Sequence, residues 1–220
     1  MDKLYYISQG SSTNEQLNNL TLVLDAGVQL VQFRMKNVSE ELFKVTAYKV
    51  KALCDSYKVK CIVNDNVLVA KEINASGVHL GKQDISPKKA RLILGNEKLI
   101  GGTANTFEDC ESLYHQGVNY IGLGPYKYTT TKQNLSPILG VQGYSNITEQ
   151  LKQHHYSVPI YAIGGIEISD IKDLMNCGVY GVALSSFISN KNKDTIKKNV
   201  DMLKLSVTTE TTYEKFNHSR

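Results

Sequence analysis

Short runs of β-branched, aromatic and small apolar residues alternate along this chain with longer stretches whose apolar positions recur at helical spacing. The short runs predict strands at Leu4–Ile7, Val28–Phe33, Lys60–Val63, Gly77–His79, Leu99–Gly101, Asn119–Gly122, Pro159–Ala162 and Gly181–Leu184. Helices are expected in the gaps, over 14–26, 40–57, 66–75, 87–94, 107–116, 145–155, 168–176 and 190–204. In 40–57 the apolar positions Leu42, Phe43, Val45, Tyr48, Val50, Leu53 and Cys54 follow a roughly helical period. Ser86-Pro87 and Ser169-Asp170 read as helix openings, where a hydroxyl or carboxylate accepts from free backbone N–H groups.

Eight strands in strict alternation with eight helices imply a parallel sheet with crossover helices. Eight such units imply an α/β chain closed into a (β/α)8 TIM barrel. An open doubly wound sheet is the alternative, but to bind a dinucleotide it needs a glycine-rich turn after an early strand. The first strand is followed instead by Ser8-Gln9-Gly10-Ser11-Ser12, and no G-x-G-x-x-G occurs. At 220 residues the chain fits one barrel domain, expected over 1–205. From Ser206 the sequence turns polar, so 206–220 is expected to be a disordered tail.

Composition narrows the function classes. With 41% apolar and 21% charged residues the chain reads as an ordinary globular protein. Its net charge of +4 is mild and spread along the chain, so nucleic acid is not an expected partner and any anion must be met by a local site. Cys54, Cys61, Cys110 and Cys177 lie far apart, without a C-x-x-C pair or a histidine at ligand spacing, which argues against structural zinc and for reduced thiols. No signal-peptide pattern opens the chain and no apolar run reaches membrane-spanning length, so the expected compartment is the cytoplasm, with no membrane partner.

Barrels of this kind keep their chemistry at the C-terminal ends of the strands. After the second strand, Gln32, Arg34 and Lys36 alternate with Phe33 and Met35, so period two puts an amide and two cations on one face. The alternative is a strand edge with solvated charges. Asn64-Asp65 follows the third strand, and Gly81-Lys82-Gln83-Asp84 lies beyond the fourth. Each carboxylate alone also suits a turn or helix cap; together, beside the basic residues, they suit Mg²⁺ shared with phosphate oxygens. Thr103 and Asn105 follow the fifth strand. Gly124-Pro125 breaks the chain after the sixth and leads into Thr129, Thr131 and Lys132, hydroxyls and an ammonium that suit a loop closing over an anion. Gly164-Gly165 after the seventh strand lets backbone amides approach a phosphate, and Ser185-Ser186 follows the eighth. Two anion sites result, one at strands seven and eight and one around Arg34, Lys36 and Lys132. His79 ends a strand with no partner residues placed for a catalytic triad, and a packed, hydrogen-bonded histidine is expected.

These strand-end motifs together resemble thiamine-phosphate synthase (thiamine-phosphate pyrophosphorylase). The resemblance runs from Leu4-Tyr5 to Ser186 and rests on Val31 to Lys36, Ile62 to Asp65, Gly77 to Asp84, Tyr120 to Lys132, Ala162 to Ile166, and Gly181 to Ala183. It implies a barrel that joins 4-amino-2-methyl-5-hydroxymethylpyrimidine diphosphate to 4-methyl-5-(2-phosphoethyl)thiazole, releasing pyrophosphate. By position it implies that Gln32, Arg34, Lys36, Asn64, Thr103 and Lys132 contact the pyrimidine diphosphate. Asp65 and Asp84 would hold Mg²⁺, and Thr129, Thr131, Gly164, Gly165, Ser185 and Ser186 would bind the thiazole phosphate. Arg34, Lys36 and Lys132 would carry the catalytic charge stabilisation. Small phosphorylated molecules are the implied partners, and a homo-oligomer is compatible with the sequence. The chain departs from the family pattern at Asn66, where arginine is usual, at Thr103, where serine is usual, and at Asn105, where histidine is common. Lys127 also puts a cation where an apolar residue is common. A thiazole tautomerase-like barrel and a non-catalytic thiamine-phosphate binding protein are the alternatives; neither needs the Asp65–Asp84 pair.

Overall fold

The computed structural model describes residues 1–128, 137–189 and 192–208. Its elements run β1 (Leu4–Ile7), α1 (Thr13–Asp25), β2 (Leu30–Phe33), α2 (Glu40–Ser56), β3 (Lys60–Asn64), α3 (Val67–Glu72), β4 (Gly77–Leu80) and α4 (Pro87–Leu94). They continue with β5 (Leu99–Ala104), α5 (Phe107–His115), β6 (Tyr120–Leu123), α6 (Gly140–Gln153), β7 (Ile160–Ile163), α7 (Ile168–Asn176), β8 (Gly181–Leu184) and α8 (Lys193–Thr208). The strands pair in sequence order, all parallel, and β1 closes on β8 with Tyr5 opposite Ala183. The chain is a (β/α)8 barrel.

Closure divides the core into two layers. Between sheet and helices lies a large apolar cluster that includes Val31, Phe33, Val63, Ile121 and Leu174. Inside the barrel, Tyr5, Ile7, Leu30, Ile62, Tyr120, Tyr161 and Ala183 form a second cluster. Branched aliphatics usually fill such an interior; here tyrosine rings pack edge to face, with Tyr5–Tyr120 centroids 5.7 Å apart and Tyr5–Tyr161 5.4 Å apart. Glycine makes the space: a Cβ on Gly101 would fall 2.1 Å from Tyr120 Cζ.

Local chemistry sets the helix starts. Ser12, Ser39, Asn66, Ser86 and Thr106 each accept from a backbone N–H in the first turn of α1, α2, α3, α4 and α5. Pro87 opens α4, as the Ser86-Pro87 pair implies. α7 spans the expected 168–176, but Ser169-Asp170 does not open it: Glu167 is the cap, and Asp170 sits at the third helical position with its carboxylate accepting from Glu167 N at 2.9 Å. α6 begins at Gly140, five residues before the expected start at 145. Gly140 and Gly143 weaken the local helical preference there, and packing of Tyr144 and Ile147 into the core overrides it. α3 ends at Glu72, short of the expected 75, because Asn74 turns into the left-handed region at φ 50°. α8 reaches Thr208, past the expected 204, with Val207 buried and its carbonyl accepting from Lys3 Nζ at 3.2 Å. Residues 209–220 of the expected tail lie outside the described residues.

Tyr144 shows how a helix holds two strand ends together. Its buried hydroxyl donates to the Leu123 carbonyl at the end of β6 and accepts from Ile163 N at the end of β7, at 3.2 Å. Burial pushes its phenol pKa up, so it stays a neutral donor. Tyr144→Phe strands both backbone groups and is expected to cost about 1–3 kcal/mol, measured by denaturant unfolding.

Candidate active site

The C-terminal ends of the strands open into a cavity of about 670 Å³, a volume in the range of small-molecule sites. Gln32, Arg34 and Lys36 all line it, while Phe33 and Met35 turn into the core, so the alternation read in the sequence holds in space. Asn64, Asp65, Asp84, Thr103, Gly164, Gly165, Ser185 and Ser186 line the same cavity. Thr129, Thr131 and Lys132 lie outside the described residues.

Arg34 is held by its backbone. Its N–H donates to Ser8 Oγ at 3.0 Å, and its carbonyl accepts from Gln16 Nε2 at 2.9 Å. Neither partner was singled out in the sequence. Gln16 was detectable, as a polar residue on the stripe that buries Leu20, Val23 and Leu24. Partial burial lowers the Arg34 pKa and the Asp65 carboxylate opposes that shift; an arginine stays charged throughout.

Asp65 stands at φ 64°, a left-handed conformation that aspartate and asparagine tolerate better than most residues. The turn is pinned by Asp65 N donating to the His79 carbonyl at 2.8 Å. Its carboxylate takes a close ion pair from Lys36. The cap role open to Asp65 belongs instead to Asn66, which accepts from Val69 N at 2.9 Å, so the residue in the usual arginine position is a helix cap here. Asp84 is likewise not a cap: its carboxylate accepts from Gly81 N at 2.7 Å across a short turn. Burial raises the Asp84 carboxyl pKa; the Gly81 N–H opposes the rise, and the neighbouring Asp65 carboxylate adds to it. Two acids are thus drawn together where their charges compete. Among the described residues no group of three or more histidine, cysteine or acidic side chains is placed to hold a metal ion.

His79 is buried, as expected of a packed histidine, yet it also lines the cavity. Nε2 lies 3.1 Å from Thr103 Oγ1 and Nδ1 lies 3.3 Å from the Tyr120 hydroxyl. Gln32 Nε2 donates to Tyr5 at 3.0 Å, and the Tyr5 and Tyr120 hydroxyls meet at 2.9 Å. One buried chain therefore joins Gln32 to Thr103 beneath the cavity floor. Asn105 is structural: its side-chain amide donates to the Gly124 carbonyl, and its N–H donates to Asp109 at 2.8 Å. Lys82, to which the sequence assigned no role, lines the cavity and is held 2.5 Å from Asp109 Oδ2.

The turn after β7 needs both its glycines. Gly164 and Gly165 have φ 97° and 68°, and a Cβ on Gly164 would lie 2.8 Å from Pro125 Cβ. After β8, the Ser185 hydroxyl donates to the Ile7 carbonyl at 2.8 Å, while Ser186 is exposed at the rim. Amide-rich turns of this kind accept anions without any titration of the protein. No described helix is long and apolar enough to cross a membrane.

A closed barrel with a charged cavity at this end of its strands defines a (β/α)8-barrel enzyme. Residues 4–188 match the family model for thiamine monophosphate synthase, and the chain belongs to that family. The thiamine-phosphate synthase of Flavobacterium johnsoniae is 47% identical over 195 residues, 89% of this chain and 92% of that protein. That of Phocaeicola vulgatus is 41% identical, covering 84% and 89%. A solved structure of thiamine phosphate pyrophosphorylase from Pyrococcus furiosus superposes with a TM-score of 0.78 at 25% identity, over 93% of this chain and 95% of that one. The protein is a transferase of thiamine biosynthesis.

The raised Asp84 pKa has a sign that can be checked. A carboxyl whose folded pKa lies above its unfolded one contributes stability below the unfolded pKa and loses it as pH rises through the folded pKa. Without divalent metal, Asp84→Asn is therefore expected to melt at or above the wild-type temperature near neutral pH, with the difference closing towards about pH 4. Thermal melts across pH in chelator read this directly.

Proposed function

We propose that the enzyme joins 4-amino-2-methyl-5-hydroxymethylpyrimidine diphosphate to 4-methyl-5-(2-phosphoethyl)thiazole, forming thiamine phosphate and pyrophosphate. The observation that carries the proposal is the convergence in one cavity of Arg34 and Lys36, the Asp65–Asp84 pair and the Gly164–Gly165 turn. One end offers charge for a diphosphate and the other offers amides for a phosphate monoester.

The carboxylate pair fits Mg²⁺. Two competing acids lose their repulsion when a divalent cation sits between them, and Mg²⁺ commonly takes one or two carboxylates with water and substrate oxygens. Bound there, the ion would neutralise charge on the diphosphate. Asp65 and Asp84 are its proposed ligands. Arg34, Lys36 and Lys132 meet the diphosphate oxygens and stabilise the charge that grows as the carbon–oxygen bond breaks. The bonding electrons leave with pyrophosphate, and the thiazole nitrogen lone pair forms the new carbon–nitrogen bond to the pyrimidine methylene. Gln32, Asn64 and Thr103 orient the pyrimidine. Thr129, Thr131, Gly164, Gly165, Ser185 and Ser186 hold the thiazole phosphate, with Ser185 acting through its place in the turn, since its hydroxyl already has a partner. Such a substitution needs positioning and charge, not a strong base, which suits a site whose histidine is engaged on both ring nitrogens.

Product formation from the two purified substrates, with and without Mg²⁺, tests the reading. Metal-dependent thiamine phosphate is expected; binding of the thiazole phosphate without turnover would instead favour a tautomerase or a binding protein. Asp84→Asn is expected to raise the Mg²⁺ concentration for half-maximal rate and to lower kcat by about 10–100-fold. Lys132→Ala is expected to lower the rate by about 100-fold, a loss on the scale of one removed charge-stabilising donor, while leaving the melting temperature unchanged. A large drop in stability would mark Lys132 as structural.

A further inference from the structure

The turns that follow β6 and β7 are joined by more than chain proximity. Tyr126 N donates to the Ile163 carbonyl and Lys127 N to the Gly164 carbonyl, each at 2.9 Å, so the two segments run on as paired backbones beyond their strands. The fit leaves no space for side chains: a Cβ on Gly165 would lie 2.6 Å from the Tyr128 carbonyl oxygen and 2.9 Å from Lys127 Cβ. Lys127 then reaches away from the cavity, where its Nζ meets Asp170 Oδ1 at 2.7 Å and lies 5.5 Å from the Tyr126 ring centre. The Asp170 side chain is only 9% exposed, and its second oxygen accepts from Glu167 N at 2.9 Å. The ammonium is thus the counter-charge for a nearly buried carboxylate in the first turn of α7. That helix begins just beyond the glycine turn.

We infer that Lys127 is a positioning residue: its ion pair with Asp170 locks the turn after β6 onto the Gly164–Gly165 turn and so sets how that turn receives the thiazole phosphate. This rests on the reaction proposed above. Neither Lys127 nor Asp170 lines the cavity, so the pair acts through the glycine turn and not by touching substrate. Backbone bonds set the register of the two turns, and Leu139 N and Gly140 N donate to the Pro125 and Tyr126 carbonyls at 3.0 and 3.1 Å, but none of these bonds reaches α7. The side-chain bridge braces them against α7, and displacements well below the size of an atom matter for preorganised contacts. The Lys127 side chain is about half exposed, so the bridge adds little to global stability, but removing its ammonium takes the counter-charge from a nearly buried carboxylate and favours rearrangement of that carboxylate and of the turn beside it.

The experiment compares wild type, Lys127→Met and Lys127→Arg. Steady-state kinetics give kcat and both KM values, calorimetric titration with the thiazole phosphate gives its Kd, and a thermal melt gives Tm. For Lys127→Met the thiazole phosphate KM and Kd are expected to rise about tenfold, with the pyrimidine diphosphate KM within about twofold of wild type. Tm is expected to fall by less than about 4 °C, and Lys127→Arg restores Kd to within about threefold because the charge is kept. Unchanged thiazole phosphate constants in Lys127→Met overturn the inference. So does a common rise in both KM values with a large fall in Tm that arginine does not repair, since that marks general destabilisation. If wild type binds the thiazole phosphate but makes no product, the proposed reaction fails while the Kd comparison still judges Lys127. If wild type does not bind it at all, both fall.

Discussion

Tyrosines inside a closed barrel carry a requirement that aliphatic side chains do not: each buried hydroxyl needs a partner. In this protein the partners lie at the two ends of the barrel. At the closed end, Tyr161 and Tyr180 donate to the carbonyls of Asp2 and Met1 and so tie down the N-terminus. Towards the open end, Tyr5 and Tyr120 satisfy each other and pass the network outward to Gln32, His79 and Thr103. The same packing that fills the interior thus orients polar groups on the cavity floor. Gly101 and Gly122 are part of this arrangement, since a Cβ there would meet Tyr120 at 2.1 Å and His79 at 3.1 Å.

Above that floor the site is a problem in charge. Arg34, Lys36 and Lys82 face the cavity together with Asp65 and Asp84. Lys36 is paired to Asp65 and Lys82 to Asp109, so these ammoniums are positioned before any ligand arrives. In the proposed reaction, charge positioned in this way would meet the diphosphate without reorganising when the bond breaks. Asp84 marks where the balance is least favourable to the protein alone, because burial and a neighbouring acid both work against its ionisation. Proteins tolerate such local costs where function requires them.

Much of this could be read from the chain. The strict alternation of apolar runs defined eight strand–helix units, and Ser86-Pro87 marked the start of α4, whereas at α7 the cap is Glu167 and not the Ser169-Asp170 pair. The residues assigned to the site that lie in the described part of the chain all reach one cavity, because a barrel gathers the ends of all its strands. What escaped was of another kind. The start of α6 at Gly140 contradicts local propensity and depends on Tyr144 finding the ends of β6 and β7. The support of Arg34 by Ser8 and Gln16, the Lys82–Asp109 pair and the Lys127–Asp170 pair join residues far apart in sequence. No periodicity or short motif encodes such contacts.

The sequence by itself determined the fold class, the strand ends where polar residues collect and the chemical types available there. It did so because periodicity, capping and turn chemistry are local properties of neighbouring residues. Only the tertiary structure decided which of two roles a polar residue takes: Asn66 caps α3 while Asp65 faces the cavity, Ser185 bonds the Ile7 carbonyl while Ser186 meets solvent, and Asn105 bridges β5 to β6. Those choices depend on which buried donor or acceptor lies within about 3 Å, and that distance is set by the closure of the barrel and not by position along the chain.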